Sequence, residues 1–467
     1  MLDKVADVVT SPNLRVNNNL PSVASALAAT LDVLEKSGVP YVVLHGYEQF
    51  PETSGSDVDI CIDHSVSDRW VCKLLEDNAG IIGARVASCR DGAILLTGET
   101  GRDQPFFLKL DLDRNYALNG LCFVPGPKIL AARRKWGTFH VPSPAHQVAG
   151  YLATSLIKGK FASARTSRLS SLYSSDPLGS AKEIAGLWPD AERGLLLRAL
   201  ADDQWGQVIA SAPDLRTSLI ARLRSKYPNG QLARTFGKLS DRLSRLIRPR
   251  GLSVVVLGPD GAGKSSVTDA IGGPDLLPVF DRSVCWGFVP PLHRLIKSQG
   301  STGHPHGLPS RSLAGSLIKA GYWFVFSLLW HPRTHVMKAR GGLVLYDRHF
   351  VDILVDAKRY RYKGPTWVLR VIWSVIPKPD LVVLLDAPAE IIQKRKKELS
   401  VKETARQLDA YRKLVEALPN GVIIDANKPF VQVVETLNRV VLKCYLERGS
   451  LMPIHNLSMR RIPRTST

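Results

Sequence analysis

Hydrophobic and polar positions change period several times along the chain. In the segment 20–115, SVASALAATLDVLEKSG repeats its apolar residues every three to four positions and predicts a helix. The runs YVVLHG, SDVDICI, GAILLT and FFLKLDLD are short or alternating and predict strands. Over 143–227 the spacing is helical almost throughout. NGQLARTFGKLSDRLSRLIRPRG then sets Phe236, Leu239, Leu243 and Leu246 at helical spacing among Arg and Lys, the pattern of a basic amphipathic helix. From Leu252 onward, SVVVLG, GLVLYD, DLVVLLD and GVIIDA are β-rich apolar runs separated by helical stretches. Such runs predict a parallel sheet covered on both faces. After Leu451 no period remains.

These changes divide the chain into a mixed α/β domain (1–142), a helical extension (143–227), a basic amphipathic linker (228–251), a parallel-sheet α/β domain (252–450) and a loose C-terminal tail (451–467). Composition changes this picture little: 45% hydrophobic and 22% charged residues describe an ordinary globular protein. The scattered cysteines form no C-x-x-C pair, which argues against a zinc ribbon or disulfide framework and for a reducing compartment. The first residues lack an apolar core, so no secretory signal is expected. The most apolar run, 317–330, is shorter than the roughly 20 residues that span a bilayer, and is expected as a buried or interface helix.

The net charge of +20 points to nucleic acid, anionic lipid or phosphorylated substrates, or to a basic surface in water. No aromatic-interleaved basic stripe or helix-turn-helix pattern supports nucleic acid. The basic helix leaves two alternatives, docking on an anionic membrane surface or packing between domains. The expected setting is cytoplasmic, with the inner face of the membrane and a homodimer left open.

The chemistry concentrates in Gly258, Pro259, Asp260, Gly261, Ala262, Gly263, Lys264, Ser265 and Ser266. They fit G-x-x-x-x-G-K-[ST] in full, between an apolar strand and a helical SSVTDAI. Glycines let backbone N–H groups close round phosphates, and the following helix offers its positive end. Lys264 is expected on the β- and γ-phosphates of ATP and the Ser265 hydroxyl on Mg²⁺. No N-K-x-D signature follows, as a G protein would have. Instead the strand GLVLYD ends in Asp347 and Arg348, at the sheet edge where ligands bind. Asp347 suits the Mg²⁺ shell or the acceptor, and Arg348 an anionic acceptor group. A strand-end salt bridge is the alternative. Lys394, Arg395, Lys396 and Lys397 end a helix before a polar connector, and such a basic lid could meet the charge on a transferring phosphoryl group. Arg395 is the first candidate and Arg406 the second.

The order GPDGAGKS, YDRHF, KPDLVVLLDAP, KRKKE and Tyr411 resembles the thymidylate kinase-like branch of P-loop nucleotide kinases, over about the C-terminal two-fifths of the chain. The resemblance implies that Asp260 faces the acceptor and takes hydrogen bonds from a sugar hydroxyl. The sequence departs from compact thymidylate kinases in its length, in the insertion carrying GYWFVFSLLW, and in DRHFVDILVDAKRYRYKG, which adds Asp352, Asp356, Arg359 and Arg361. Those departures resemble divergent thymidylate kinase-like proteins associated with bacterial surface polysaccharide assembly. The added acids and arginines could hold a phosphosugar as well as a nucleotide.

In the N-terminal half, Asp57 and Asp59 share one face of a strand, as do Asp111 and Asp113 of another, with Leu108, Leu110 and Leu112 opposite. Convergent carboxylates of this kind hold Mg²⁺ in polymerase-type sites. The pattern resembles the nucleotidyltransferase fold, which implies Gly46 at the turn and Asp57, Asp59 and Asp111 as metal ligands. Tyr47 stands where a small residue is usual. The pair His304 and His306 lacks flanking ligands and reads as a Gly/Pro-rich loop.

The expected function is an ATP-dependent kinase acting on a dTMP-like nucleoside monophosphate. The alternatives are a sugar or glycan-precursor kinase of surface polysaccharide synthesis and a non-catalytic nucleotide-sensing scaffold.

Overall fold

A computed structural model describes residues 22–47, 50, 56–90, 92–101, 104–226, 246–247, 249–286, 312–396 and 399–450. The chain divides into two compact units, Met1–Lys238 and Leu239–Thr467. Most of the basic linker, His304, His306, Lys397 and the C-terminal tail lie outside the described residues.

The first unit is built on a five-stranded sheet of β1 (Tyr41–Val43), β2 (Asp57–Ile62), β3 (Arg85–Arg90), β4 (Ala93–Glu99) and β5 (Pro105–Asp113), in the order β1-β2-β5-β4-β3. Only β2 and β5 pair in parallel, and their register sets Asp59 against Asp111. Strict alternation in β5 buries Leu108, Leu110 and Leu112 against the helix Val23–Lys36, while Lys109, Asp111 and Asp113 stay half-exposed. Ser22 caps that helix through a reciprocal bond with Ser25, which ends the preceding chain cleanly. Two hairpins follow, β6 (Asn115–Leu118) with β7 (Leu121–Pro125) and β8 (Arg134–Trp136) with β9 (Phe139–Val141). The helices from Pro144–Lys158 to Ala212–Lys226 share one core with β6 and β7 and with Val42, Leu44 and Cys61 of the sheet. The helical segment therefore completes the sheet's second face.

The second unit is a five-stranded sheet of β10 (Leu252–Leu257), β11 (Ser283–Trp286), β12 (Leu343–Tyr346), β13 (Leu381–Asp386) and β14 (Gly421–Asp425). The order is β11-β12-β10-β13-β14, and every pairing is parallel. Every residue of β10 is buried, because helices cover both faces. The chain leaves β10 toward β11 on one side and returns through β12 to β13 on the other. The C-terminal ends of β10 and β12 thus flank a topological switch point, where open α/β sheets bind ligands.

The apolar run of the insertion departs from expectation. It belongs to a helix of 27 residues, Leu313–Ala339, long and apolar enough by length and composition to cross a membrane. Only 17% of its most apolar stretch is buried. Of the expected buried or interface helix, the low burial disfavours the buried reading, and the helix is longer than expected because helical spacing continues on both sides of the run. Four polar anchors fix one edge of this helix to the unit. The Ser316 hydroxyl accepts from Lys363 N–H at 3.0 Å, and Lys319 donates to the Tyr360 carbonyl at 2.5 Å. Thr334 pairs with the Tyr346 hydroxyl at 2.8 Å, and Lys338 with Asp380 at 2.7 Å.

Candidate functional site

The loop between β10 and the helix Lys264–Gly272 turns on glycines that other residues could not replace. Gly261 has φ 92°, and a Cβ there would lie 3.0 Å from the Ile392 carbonyl and the Lys396 Cβ. Gly263, at φ 93°, takes the N-cap position of the helix. Lys264 begins that helix and folds back into the loop, donating to the carbonyls of Gly258 at 2.7 Å and Pro259 at 3.0 Å. Burial pulls its ammonium down to about 8, against an ordinary value of 10.5. The neighbouring Ala262 is buried, and Ser265 and Ser266 are exposed on the first helical turn.

Asp347 and Arg348 emerge at the C-terminal end of β12, on the same side as this loop. The Ser265 hydroxyl faces both carboxylate oxygens of Asp347 at 3.5 Å. A hydroxyl and a carboxylate converging at this distance are hard oxygen donors of the kind Mg²⁺ takes, and the pair fits that ion.

Asp260 lies under three cations. Arg348 donates to its Oδ1 at 3.3 Å, Arg359 donates to its Oδ2, and the Lys264 ammonium lies 3.9 Å from Oδ1. Its side chain is only 8% exposed. Arg359 is presented by a turn in which its own N–H donates to the Asp356 carboxylate at 3.1 Å. Beneath them, Asp352 is buried and accepts from the Tyr411 hydroxyl at 2.9 Å and from His349 N–H at 2.8 Å. Burial raises the Asp352 carboxyl above the usual carboxylate range. Asp260, Arg348, Asp352, Arg359, Gln407 and Tyr411 line a pocket with the backbone of Gly258 and Pro259. Gln407 is 98% buried; its Nε2 has no well-aligned hydrogen-bond partner and makes only a loose contact with the Glu403 carboxylate.

The structure therefore brings together Asp260, Lys264, Ser265, Asp347 and Arg348, which the sequence marks through one motif and one strand end. Arg395 is not among the residues lining this pocket: its guanidinium donates to the Ala426 carbonyl at 3.2 Å. Arg406 is bound to Glu403 at 2.7 and 2.9 Å. The helix Ala389–Arg395 ends at Arg395, and the next residue, Lys396, brings its Cβ to 3.0 Å from where a side chain on Gly261 would start. Sequence reasoning gave no role to Gln407, and lists Arg359 without a partner. Its alternation signal was hidden: Gln407 sits four residues before Tyr411 on the helix Val401–Glu416, on the same buried face.

In the first unit the carboxylates Asp57, Asp59 and Asp111 do share one face, yet among the described residues no three His, Cys, Asp or Glu side chains form a metal-holding group. Lys109 lies between them, 2.6 Å from Asp111 and 3.2 Å from Asp57, and His45 Nε2 is 2.8 Å from Asp59. The His45 hydrogen bond holds Asp59 below the usual carboxylate range. The expected metal ligands thus take Lys109 and His45 of their own chain as partners. Gly46 has φ 79° at the end of β1, and Tyr47 is buried, its hydroxyl donating to Gln147 at 2.8 Å. Tyr47 is a packing residue here.

A parallel sheet with a lysine-bearing glycine loop at its switch point is consistent with an α/β nucleotide-binding kinase fold. No protein-family model matches the chain. A protein described as probable thymidylate kinase 1, from Saccharolobus solfataricus, is 29% identical over 111 residues, which is 22% of this chain and 55% of that protein. The chain thus spans about half the length of the curated relative it matches. This similarity supports a nucleotide kinase-like domain at most. It gives no support to the nucleotidyltransferase resemblance of the first unit.

Proposed function

We propose that the segment 252–450 transfers the γ-phosphoryl group of ATP to a nucleoside monophosphate acceptor of the dTMP type. The observation carrying this is the pocket in which Arg348 and Arg359 converge on Asp260, next to Lys264. The loop amides and the Lys264 ammonium bind the β- and γ-phosphates. Ser265 and Asp347 would hold Mg²⁺, which neutralises phosphate charge when bound. Arg348 and Arg359 orient the anionic group of the acceptor, and Asp260, held between them, accepts from an acceptor hydroxyl. As the acceptor oxygen bonds to the γ-phosphorus, the bond from that phosphorus to the bridging oxygen breaks, and ADP leaves with the electron pair. Lys396, beside Gly261, meets the charge of the group in transit.

A sugar or phosphosugar acceptor is the second reading. It draws on the buried Gln407 amide and the buried Asp352, both lining the pocket, which suit an acceptor with several hydroxyls. The test is ATP consumption by the full-length protein with Mg²⁺, across dTMP, other nucleoside monophosphates, sugars and phosphosugars. Lys264→Ala and Asp260→Asn are run beside it. Turnover with dTMP that both variants abolish supports the proposal, and turnover with sugars alone replaces it by the second reading. Tight ATP binding without turnover on any acceptor places the nucleotide-sensing scaffold ahead of both readings.

A further inference from the structure

The long helix Leu313–Ala339 and the shorter helix Thr366–Val375 pack side by side around Trp323, Leu369 and Ile372. Their other faces are apolar and open. Ile318 is 74% exposed, Val325 52% and Leu329 67%, at seven- and four-residue steps that keep them on one side of the long helix. Trp367, Val371 and Val375, four residues apart, are more than half exposed on the other. Exposed apolar stripes of this extent are rare on soluble monomers.

Charge identifies what covers them. The sequence holds no Asp or Glu between Asp281 and Asp347, and none between Asp356 and Asp380. The charged residues within both helices are therefore all basic; Lys338 is buried on Asp380, whereas Arg333 and Arg370, with Lys363 and Lys378 flanking the shorter helix, are exposed. Arg333 and Lys378 lie over the rings of Trp330 and Trp373, at 4.4 and 3.7 Å. Apolar side chains, ring-bearing aromatics and one-signed positive charge on adjacent helices match the boundary of an anionic bilayer. A two-fold interface with a second copy would bring like charges face to face.

We propose that this two-helix face docks the second unit flat on an anionic phospholipid surface, with Ile318, Val325, Leu329 and Trp367 entering the headgroup–acyl boundary. The helix lies on the membrane and does not span it. Ser316, Ala320, Trp323, Thr334 and Lys338 form a stripe packed on the protein, and crossing would strip the Thr334–Tyr346 and Lys338–Asp380 contacts of their partners. The long helix also meets the basic linker, His335 Nε2 lying 2.6 Å from the Leu246 carbonyl, and the surface is independent of the kinase proposal.

The test is co-sedimentation of the full-length protein with phosphatidylcholine vesicles containing about one-third phosphatidylglycerol, against phosphatidylcholine alone. Binding should require the anionic lipid. The combined variant Ile318→Glu, Val325→Glu, Leu329→Glu should weaken it at least roughly tenfold while ATP binding is kept, since several buried apolar side chains carry such affinity. Should that variant misfold, Arg333→Glu with Arg370→Glu alters only exposed charges and should still reduce binding. Three results overturn the proposal. The first is no binding to anionic vesicles at low salt. The second is binding that survives these variants but is lost when Arg242, Arg245 and Arg248 are neutralised. The third is a lipid-free dimer that the apolar variants split.

Discussion

Arg359 donates a hydrogen bond to Asp260, a residue 99 positions earlier in the chain, while Arg348 occupies the other carboxylate oxygen. An acid inside a loop that cradles phosphates is explained by this arrangement. Its charge is spent on two guanidiniums, and it keeps three cations from repelling one another within a few ångströms. The loop remains attractive to anions while Asp260 fixes where the arginines stand.

Asp260 and Arg359 should therefore be energetically coupled. In a double-mutant cycle of Asp260→Asn and Arg359→Ala, read by chemical denaturation, the coupling is expected at about 1–3 kcal/mol. Asp260→Asn alone should be the more damaging single change, because it leaves two half-buried guanidiniums without their carboxylate. Additive effects would show that the contact is incidental.

ATP affinity should fall as pH rises through about 8, the value to which burial pulls Lys264. Below it the ammonium is charged before ATP arrives. Above it the side chain is neutral in the free protein and must take up a proton on binding, because bound phosphates favour the charged form. Calorimetric titration at pH 7 and 9.5 should show weaker binding at the higher pH, with proton uptake. Lys264→Arg should flatten the profile, since a guanidinium stays charged throughout.

Gln407→Leu separates function from stability. The buried Nε2 has no well-aligned hydrogen bond and only a loose contact with Glu403, so an isosteric apolar residue should change the melting temperature little. If the amide recognises the acceptor, the acceptor KM should rise about tenfold with ATP affinity unaffected, the loss of roughly one good hydrogen bond. A fall in melting temperature with unchanged KM would reduce Gln407 to a packing residue.

Ser265→Ala and Asp347→Asn should each raise the Mg²⁺ concentration needed for half-maximal turnover, about tenfold or more for Asp347, which removes a charged ligand. Chelation with EDTA should abolish turnover and added Mg²⁺ restore it. Equal Mg²⁺ dependence in all three proteins would assign Asp347 to the acceptor instead.

Local pattern carried much of this protein. The strands β10, β12 and β13 are legible because burial on both faces demands unbroken apolar runs, and β5 because burial on one face demands alternation; β14 keeps an apolar run although it is a partly exposed edge strand. The loop 258–265 is legible because its chemistry is contiguous in the chain. β11 was missed because Ser283–Trp286 is a short, partly exposed edge strand with no such run. Whether a side chain is used, and by whom, was decided in three dimensions. Asp57, Asp59 and Asp111 share a face by strand period alone, but only the fold sets Lys109 and His45 among them. The basic run after Ile392 names candidates, but only the fold shows Arg395 bound to the Ala426 carbonyl and Lys396 set beside Gly261. Periodicity reads each element against its own axis. Contacts such as Arg359 with Asp260 depend on how separate elements pack, and chain order by itself holds no record of that.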